Sequence, residues 1–439
     1  MFEMIIHSTF GLSIKKHKIM KTIYQVILLM FLITSCSAQL KTDIDQMTPT
    51  LWEEDIEYVE KKIQKEFASF DQSIKETFSQ NANSLKKELS SLNNQQVAIK
   101  MGQLLASLKD GHTELSILQR TANMDRLPLL LYYFEDGLYI VASHDAYKDL
   151  IGKKVVQIGT MPVSESVERL KEVMTYDNEY EILHAGPSFL MLPDVLKYLG
   201  AVESTSEVPL IVMDDTEVNS TKNIIPVNVE TYNNGTWQSY FGMNDIATML
   251  YKKHLDKNYW YEYLEDKKTM YFYLGRVNNQ KGQTSLKKVI SQLFDAIDKV
   301  QAEKLVIDVR KNSGGNYNKS RPLIDAIKDR PSLNKLGKIF VVNGRTTFSA
   351  AMVATIFLKT ETNAIVVGEP SRGHPNKCDN NEYMSLPNSG LNIEYTTKVK
   401  EHWSELGDAN HVPVDVIIPP TFAAYKMGED AVLNYIVKQ

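Results

Sequence analysis

The fold is decided by the stretch Lys304-Leu-Val-Ile-Asp-Val-Arg310, which continues into Lys311-Asn-Ser-Gly-Gly-Asn316. The first seven residues form a short apolar, β-branched run, a pattern typical of a strand buried on both faces. The two glycines permit positive φ and bring bare backbone N–H groups to the end of that strand. This stretch therefore predicts a buried strand that ends in a glycine loop.

A second buried strand, Lys338-Ile-Phe-Val-Val342, follows and ends in Asn343-Gly-Arg-Thr-Thr-Phe-Ser349. The next residues, Ala350 to Leu358, contain no helix breaker and predict a helix. A serine thus lies where a strand turns into a helix, beside the glycine loop of the neighbouring strand. A hydroxyl at a sharp turn, with free N–H groups to hold an oxyanion, suits acyl transfer.

Three segments together resemble the S41 family of serine peptidases: LVIDVRKNSGG (305–315), VVNGRTTFSAAM (341–352) and VVGEPSRG (366–373). That family includes the C-terminal processing, or tail-specific, proteases and the tricorn core protease. The resemblance covers roughly residues 240 to 439. It implies an α/β catalytic domain of the tail-specific protease (ClpP/crotonase-like) type.

The resemblance implies that Ser349 is the nucleophile. The alternative is that Ser349 only caps the following helix, a common role for serine at that position. The oxyanion hole would consist of the N–H of Ala350 and one from Gly314 or Gly315. Glycine matters there because the backbone must come close to the substrate.

The general base departs from the best-known family pattern. C-terminal processing proteases use a lysine in the tract after the serine, but here Gly368-Glu-Pro-Ser-Arg-Gly-His374 carries a histidine. The tricorn branch uses a histidine at an N-terminal helix end, and Leu108-Lys-Asp-Gly-His112 resembles that site. A neutral imidazole can accept a hydroxyl proton near neutral pH. We expect His112 as the base, with His374 and then Lys377 as alternatives.

A glutamate near the C-terminus completes a charge relay in the tricorn branch. Glu405 is the candidate here, with Glu401 nearby, upstream of Pro413-Val-Asp415. The alternative for both is a solvated surface side chain.

The chain is predicted to be a multidomain α/β protein with four segments: a targeting segment (1–38), a helical domain (39–125), an accessory domain (126–225) and the catalytic domain (226–439). Apolar spacing predicts helices over residues 55–70 and 97–108, with Gly111 ending the second. A hairpin around Glu135-Asp136-Gly137 and the tract 150–173 are similar to a degenerate PDZ-like β domain. The alternative is an accessory domain without a peptide groove. The polar tract 214–236 is predicted to be a connection.

The first forty residues predict targeting. An apolar run, Ile23 to Ile33, has the length of a signal-peptide core and is too short to span a membrane. The Ile33-Thr-Ser-Cys36 tract looks like a lipobox, in which Cys36 would be lipidated. We expect a cell-envelope protein, periplasmic or on the outer membrane, anchored through Cys36. The alternative is a secreted protein cleaved after Ala38.

Composition excludes other classes. A net charge of −5 without a basic, aromatic-rich stripe gives no nucleic-acid footprint. The only two cysteines cannot form a disulfide framework, and no Cys/His cluster has zinc spacing. We expect no metal and no cofactor.

These features predict an exported serine endopeptidase that hydrolyses peptide bonds of envelope proteins through an acyl-enzyme on Ser349. The alternatives are an esterase-like serine hydrolase and a catalytically inactive peptide-binding protein on the same scaffold.

Replacing Cys36 with serine should move the protein from the membrane fraction to the soluble fraction. Lipoprotein modification adds several acyl chains, so the shift should be large. Fractionation followed by immunoblotting measures it, and an unchanged distribution would contradict lipidation at Cys36.

Overall fold

A computed structural model describes residues 44–68, 71–115, 124–244, 249–377, 379–407 and 409–439. Both cysteines, Cys36 with the predicted targeting segment and Cys378, lie outside the described residues. None of the helices within those ranges is long and apolar enough to cross a bilayer.

The N-terminal segment is helical, as predicted, and consists of α1 (Pro49–Glu66), α2 (Gln72–Glu88) and α3 (Asn94–Ala106). Each begins at a residue whose side chain accepts a backbone N–H of the first turn: Thr48, Asp71 and Asn93. Such caps satisfy N–H groups that have no partner inside the helix.

The end of α3 differs from the prediction. Lys109, not Gly111, adopts the left-handed conformation after the helix, with φ of 51°. Gly111 is required for a different reason, because a Cβ there would lie 2.3 Å from Glu181 Oε2. A short strand, β1 (Glu114–Leu115), follows.

The accessory domain is an antiparallel sheet with helices. Its elements are β2 (Leu129–Phe134), β3 (Gly137–His144), β4 (Lys154–Ile158), β5 (Met161–Pro162), α4 (Val163–Leu170), α5 (Glu179–Phe189), α6 (Pro193–Tyr198), β6 (Val208–Met213) and β7 (Asn219–Ile224). The strand order is β2-β3-β4-β6-β7, and β5 pairs with β4. The predicted hairpin at Glu135-Asp136-Gly137 joins β2 to β3.

The prediction that residues 214–236 are only a connection is wrong. The tract contains β7 and a helix, α7 (Val229–Asn234), and it leads to β8 (Trp237–Ser239) and α8 (Tyr240–Asn244). Strand β7 lies at the sheet edge, where most of its side chains are exposed. It is held by backbone pairing to β6, which needs no apolar alternation, so its sequence looks like a loop.

The C-terminal part of the chain, the predicted catalytic domain, alternates strands and helices. Its elements are β9 (Tyr259–Leu264), β10 (Thr269–Leu274), α9 (Leu286–Val300), β11 (Lys304–Asp308), α10 (Arg321–Lys328), β12 (Ile339–Asn343), α11 (Ala350–Glu361), β13 (Ile365–Gly368), β14 (Asn380–Ser385), β15 (Asn392–Lys398), β16 (Val416–Ile417), α12 (Phe422–Met427) and α13 (Ala431–Ile436). The main sheet has the order β16-β13-β12-β11-β10-β9, and all its pairs are parallel except β9 with β10.

The central strands are buried on both faces, as their apolar runs predict. Leu305 and Ile307 of β11 pack into one core, while Val306 and Phe340 pack into the core on the opposite face. Because β11 and β12 are parallel neighbours, their carboxyl ends lie at the same sheet edge. The loops that follow them are therefore brought side by side.

A small sheet of order β1-β15-β14 joins the N-terminal segment to the catalytic half. One hydrophobic cluster runs through α1 to α3, the accessory sheet and strands β14 and β15. These three parts thus share a core that crosses the domain boundaries expected from the sequence. The multidomain α/β fold class is confirmed.

Candidate active site

Ser349 occupies a strained turn between β12 and α11. Its φ of 50° and ψ of −126° lie in a region that residues with a side chain rarely adopt. Its side chain makes no capping hydrogen bond to α11. The helix-capping alternative therefore does not describe Ser349, and the hydroxyl is left for other chemistry.

The glycine loop after β11 lies against this serine. A Cβ on Gly314 would be 2.9 Å from the Cβ of Ser349 and 3.3 Å from its Oγ. Both Gly314 and Gly315 have large positive φ, 126° and 137°. The loop needs glycine for its backbone conformation, and Gly314 also needs it for the close approach of Ser349.

The buried Asn312 distinguishes the two glycine N–H groups. Its side chain accepts the N–H of Gly314 at 2.9 Å and donates to the carbonyl of Leu274 at 2.8 Å. Within the described ranges, the N–H groups of Gly315 and Ala350 have no hydrogen-bond acceptor. Gly315 and Ala350 thus carry free donors, and the N–H of Gly314 is already used.

The loop that carries His112 is fixed by two buried carboxylates. Asp110 accepts hydrogen bonds from Thr113 Oγ1 at 2.5 Å and from Thr396 Oγ1 of β15 at 2.7 Å. Asp177 accepts the N–H of Gly111 at 3.0 Å. These contacts attach the loop to the catalytic half and to the segment that precedes α5.

The imidazole of His112 is buried and stacks on the ring of Phe348, with centroids 4.1 Å apart and planes 22° apart. Burial lowers the pKa of His112, and the carboxylate of Asp110 opposes that shift. The neutral imidazole is consequently the dominant form at neutral pH. Its Nδ1 is buried and has no hydrogen-bond partner among the described residues.

Ser349 and His112 line one cavity of about 250 Å³, together with Gly315 and Ala350. No hydrogen bond joins Ser349 Oγ to the imidazole in this structure. Catalytic hydrogen bonds are often long without substrate and tighten in the complex. The cavity brings together a hydroxyl, a neutral imidazole and two free N–H groups, the set that acyl transfer requires.

The lining of the cavity also includes a polar cluster that the sequence did not indicate. Asp379 accepts a hydrogen bond from Tyr317 at 3.0 Å, and its carboxylate lies 3.7 Å from His402 Nε2. All three residues line the cavity. Asp379 precedes β14, His402 follows β15 and Tyr317 precedes α10. No motif or spacing in the sequence indicates these residues.

The alternative bases lie elsewhere. His374 is buried and does not line the cavity; its N–H donates to Asp177 and its Nδ1 accepts the N–H of Asn376. Lys377 is half-buried and also does not line the cavity. The structure brings His112, and neither of these two, to Ser349.

The relay candidates are not brought to the site. Glu405 lies in a 3-10 turn, Ser404–Leu406, is exposed, and does not line the cavity. Glu401 is exposed as well. Both match the surface alternative that the sequence left open.

Glu369 of the Gly368-Glu-Pro tract has a structural contact that the sequence did not indicate. It forms a buried ion pair with Arg345, with Nε 3.1 Å from each carboxylate oxygen. Arg345 also donates to the carbonyl of Tyr133 in β2 at 2.8 Å. This pair ties the turn before Ser349 to β13 and to the accessory sheet.

No group of three or more His, Cys, Asp or Glu residues suited to a metal ion is found in the described part of the chain.

No protein-family model and no curated protein matches this sequence. Solved structures do match. Mature CPAF in complex with lactacystin aligns over 89% of this chain and 97% of its own, with a TM-score of 0.59 and 13% identity. The photosystem II D1 C-terminal processing protease aligns over 87% of this chain and 98% of its own, with a TM-score of 0.39 and 13% identity.

The tricorn protease aligns over 89% of this chain and 36% of its own, with a TM-score of 0.39 and 10% identity. The chain has an S41-like peptidase fold, as the three motifs predict. At these identities the likeness shows the fold alone.

Replacing Gly314 with alanine should reduce hydrolysis about a hundredfold, because the added methyl displaces Ser349. Gly137→Ala is the matched control. Gly137 has a similar φ of 136°, and its added methyl meets only the flexible end of Lys154. Both variants lose some stability, but only Gly314→Ala should lose activity per folded molecule. Equal activities would show that the loop does not position the nucleophile.

The acid limb of the activity profile should lie below the ordinary histidine pKa of 6.5, because burial lowers the pKa of His112. With His112 as the base, activity would require the neutral imidazole, so it should persist at mildly acidic pH and be lost as pH falls through the lowered pKa. Plotting kcat/KM against pH tests this. A limb at or above 6.5 would contradict His112 as the base in this buried state.

Proposed function

We propose that this protein is a serine peptidase that cleaves peptide bonds through an acyl-enzyme on Ser349. The observation that carries the proposal is the shared cavity of Ser349, His112 and the free N–H groups of Gly315 and Ala350. The strained backbone of Ser349 supports it further.

In this proposal Ser349 Oγ attacks the substrate carbonyl while His112 accepts the hydroxyl proton. The oxyanion of the tetrahedral intermediate lies against the N–H groups of Gly315 and Ala350, which stabilise the developing charge. The imidazolium then donates its proton to the leaving amine, and the C–N bond breaks. Water, deprotonated by the same imidazole, hydrolyses the ester and restores Ser349.

A specific observation favours a second candidate, a peptide-binding protein without catalysis. Nδ1 of His112 has no carboxylate partner within the described ranges, and no hydrogen bond links His112 to Ser349. In such a protein the cavity would hold a peptide without attack by Ser349.

A fluorophosphonate probe separates these candidates. The peptidase requires covalent modification of Ser349, located by mass spectrometry of the labelled peptide, whereas a binding protein stays unlabelled. Comparing amide with ester substrates then distinguishes a peptidase from an esterase-like hydrolase.

Ser349→Ala should reduce turnover about a thousandfold or more, with the melting temperature nearly unchanged, because one oxygen is removed at a turn that the side chain does not cap. The exposed Ser332→Ala variant is the control and should keep full activity. Residual turnover near the wild-type value would assign the nucleophile elsewhere.

His112→Ala should reduce turnover by about two to four orders of magnitude, because proton transfer from Ser349 is lost. His374→Ala and Lys377→Ala should cost far less, since neither side chain lines the cavity. His402→Ala should mainly change KM, because that side chain lines the cavity and lies beside Asp379 rather than acting as the base. Near-normal turnover in His112→Ala would exclude it as the base.

We also propose export to the cell envelope with a lipid anchor on Cys36, on the basis of the lipobox-like tract. Peptides or proteins of that compartment would be the substrates.

A further inference from the structure

The imidazole of His112 lacks the support that usually orients a catalytic histidine. A carboxylate ordinarily accepts the Nδ1–H and fixes the ring. Here Nδ1 is buried without a partner among the described residues, although Asp110 is close in sequence. The carboxylate of Asp110 is instead engaged by Thr113 and Thr396. Some other contact must hold the ring in place.

The contact that the structure offers is a stack of three side chains, called the column below: the rings of His112 and Phe348 and the guanidinium of Arg372. Phe348 lies 4.1 Å from the His112 ring and 4.1 Å from the guanidinium carbon of Arg372, both measured to its ring centroid. Both distances are shorter than an approach to the ring edge allows. Phe348 therefore contacts the imidazole and the guanidinium through the faces of its ring.

Arg372 is itself fixed from the accessory domain. Its Nη1 donates to Glu181 of α5 at 3.2 Å, and its backbone N–H donates to the carbonyl of Thr347 at 3.3 Å. Its Nε is buried without a partner in the described part of the chain. The side chain of Arg372 is thus positioned by one ion pair and by the ring of Phe348.

Glu181, which binds Arg372, is also linked to the loop that carries His112. Glu181 accepts the N–H of Asp177 at 2.9 Å, and Asp177 in turn accepts the N–H of Gly111. Gly111 of the His112 loop, through Asp177, and Arg372, directly, are therefore both linked to Glu181.

We propose, on the basis of the proposed function, that Arg372 is a positioning residue that presses Phe348 against His112 and so orients the catalytic imidazole in place of a carboxylate. Glu181 holds Arg372 in this position, which couples the accessory domain to the base.

The charge of Arg372 also affects the protonation of His112. The charged groups that act on the imidazole are Asp110 and Glu114 of its own segment, Asp177 from the turn before α5 and Arg372 from the loop after β13. Glu181 of α5 contacts Arg372 and Asp177, and Asp379 and His402 line the same cavity. Burial and Arg372 lower the pKa of His112, whereas Asp110, Asp177 and Glu114 raise it. Removing the guanidinium should therefore raise that pKa.

The test measures the rate at which the fluorophosphonate probe modifies Ser349 as a function of pH, which requires no peptide substrate. In Arg372→Met we expect the plateau rate to fall about tenfold to a hundredfold, because the imidazole is misplaced. We also expect its acid limb to move to higher pH. Arg372→Lys keeps the positive charge but not the planar guanidinium, so its limb should stay near the wild-type position with part of the rate restored.

Arg330→Met is the matched control. Arg330 lies 4.6 Å from the ring centroid of Phe294 and pairs with Asp298, and none of these three residues lines the cavity. Arg330→Met likewise removes a cation–π contact and an ion pair, and it should leave the labelling rate and the pH of the acid limb unchanged. A general loss of stability would instead slow both variants without moving either limb, which would contradict the proposal.

If Arg372→Met does not fold, Glu181→Gln tests the same coupling with a neutral side chain of equal size. It should lower the labelling rate in the same direction by a smaller factor. A labelling rate and an acid limb equal to those of the wild-type protein, in Arg372→Met or in Glu181→Gln, would overturn the positioning role. Absence of labelling in the wild-type protein would overturn the proposed function itself.

Discussion

The site depends on one constraint, the strained backbone of Ser349. Such a conformation costs about 1–3 kcal/mol and persists only where surrounding contacts enforce it. Here Phe348 N–H donates to the carbonyl of Asn312 at 3.1 Å, and Thr347 Oγ1 donates to the carbonyl of Val309 at 2.9 Å. The ion pair of Arg345 with Glu369 also attaches this turn to the segment that follows β13. Released from these contacts, the turn would relax and the hydroxyl would leave the cavity.

The same contacts set the other parts of the site. The carbonyl of Asn312 accepts the N–H of Phe348, the residue before Ser349. The side chain of Asn312 accepts the N–H of Gly314, whereas the N–H of Gly315 has no acceptor among the described residues. Phe348 is both the neighbour of Ser349 and the surface on which His112 stacks. The hydroxyl of Ser349, the free N–H groups and the imidazole of His112 are therefore positioned by the same pair of short loops. A displacement in either loop affects all three.

The predictable part of this protein is the part encoded by consecutive residues. The buried runs of β11 and β12 and the glycine loop were identified because a strand buried on both faces has a continuous apolar sequence. Ser349 follows from its place between strand and helix. His112 was found only through the family resemblance, since a histidine after a helix has no distinguishing chemistry of its own.

Other features could not be predicted because they arise between distant segments. Asp379 and His402 meet across the polar hairpin of β14 and β15, whose sequence has no motif. Strand β7 has the composition of a loop because its backbone, not its side chains, attaches it to the sheet. The stacking of Arg372 on Phe348 depends on the loop after β13, whose course depends on packing with α5.

The attachment of the His112 loop to β15 has a consequence for biosynthesis. Asp110 and Thr396 form their hydrogen bond across 286 positions of sequence. Contacts of such high sequence separation form late, because long loops must close first. A nascent chain thus carries its imidazole long before the strand that secures it is synthesised. The loop that carries His112 therefore reaches its final, secured position only after β15, close to the C-terminal end of the sequence, has been synthesised.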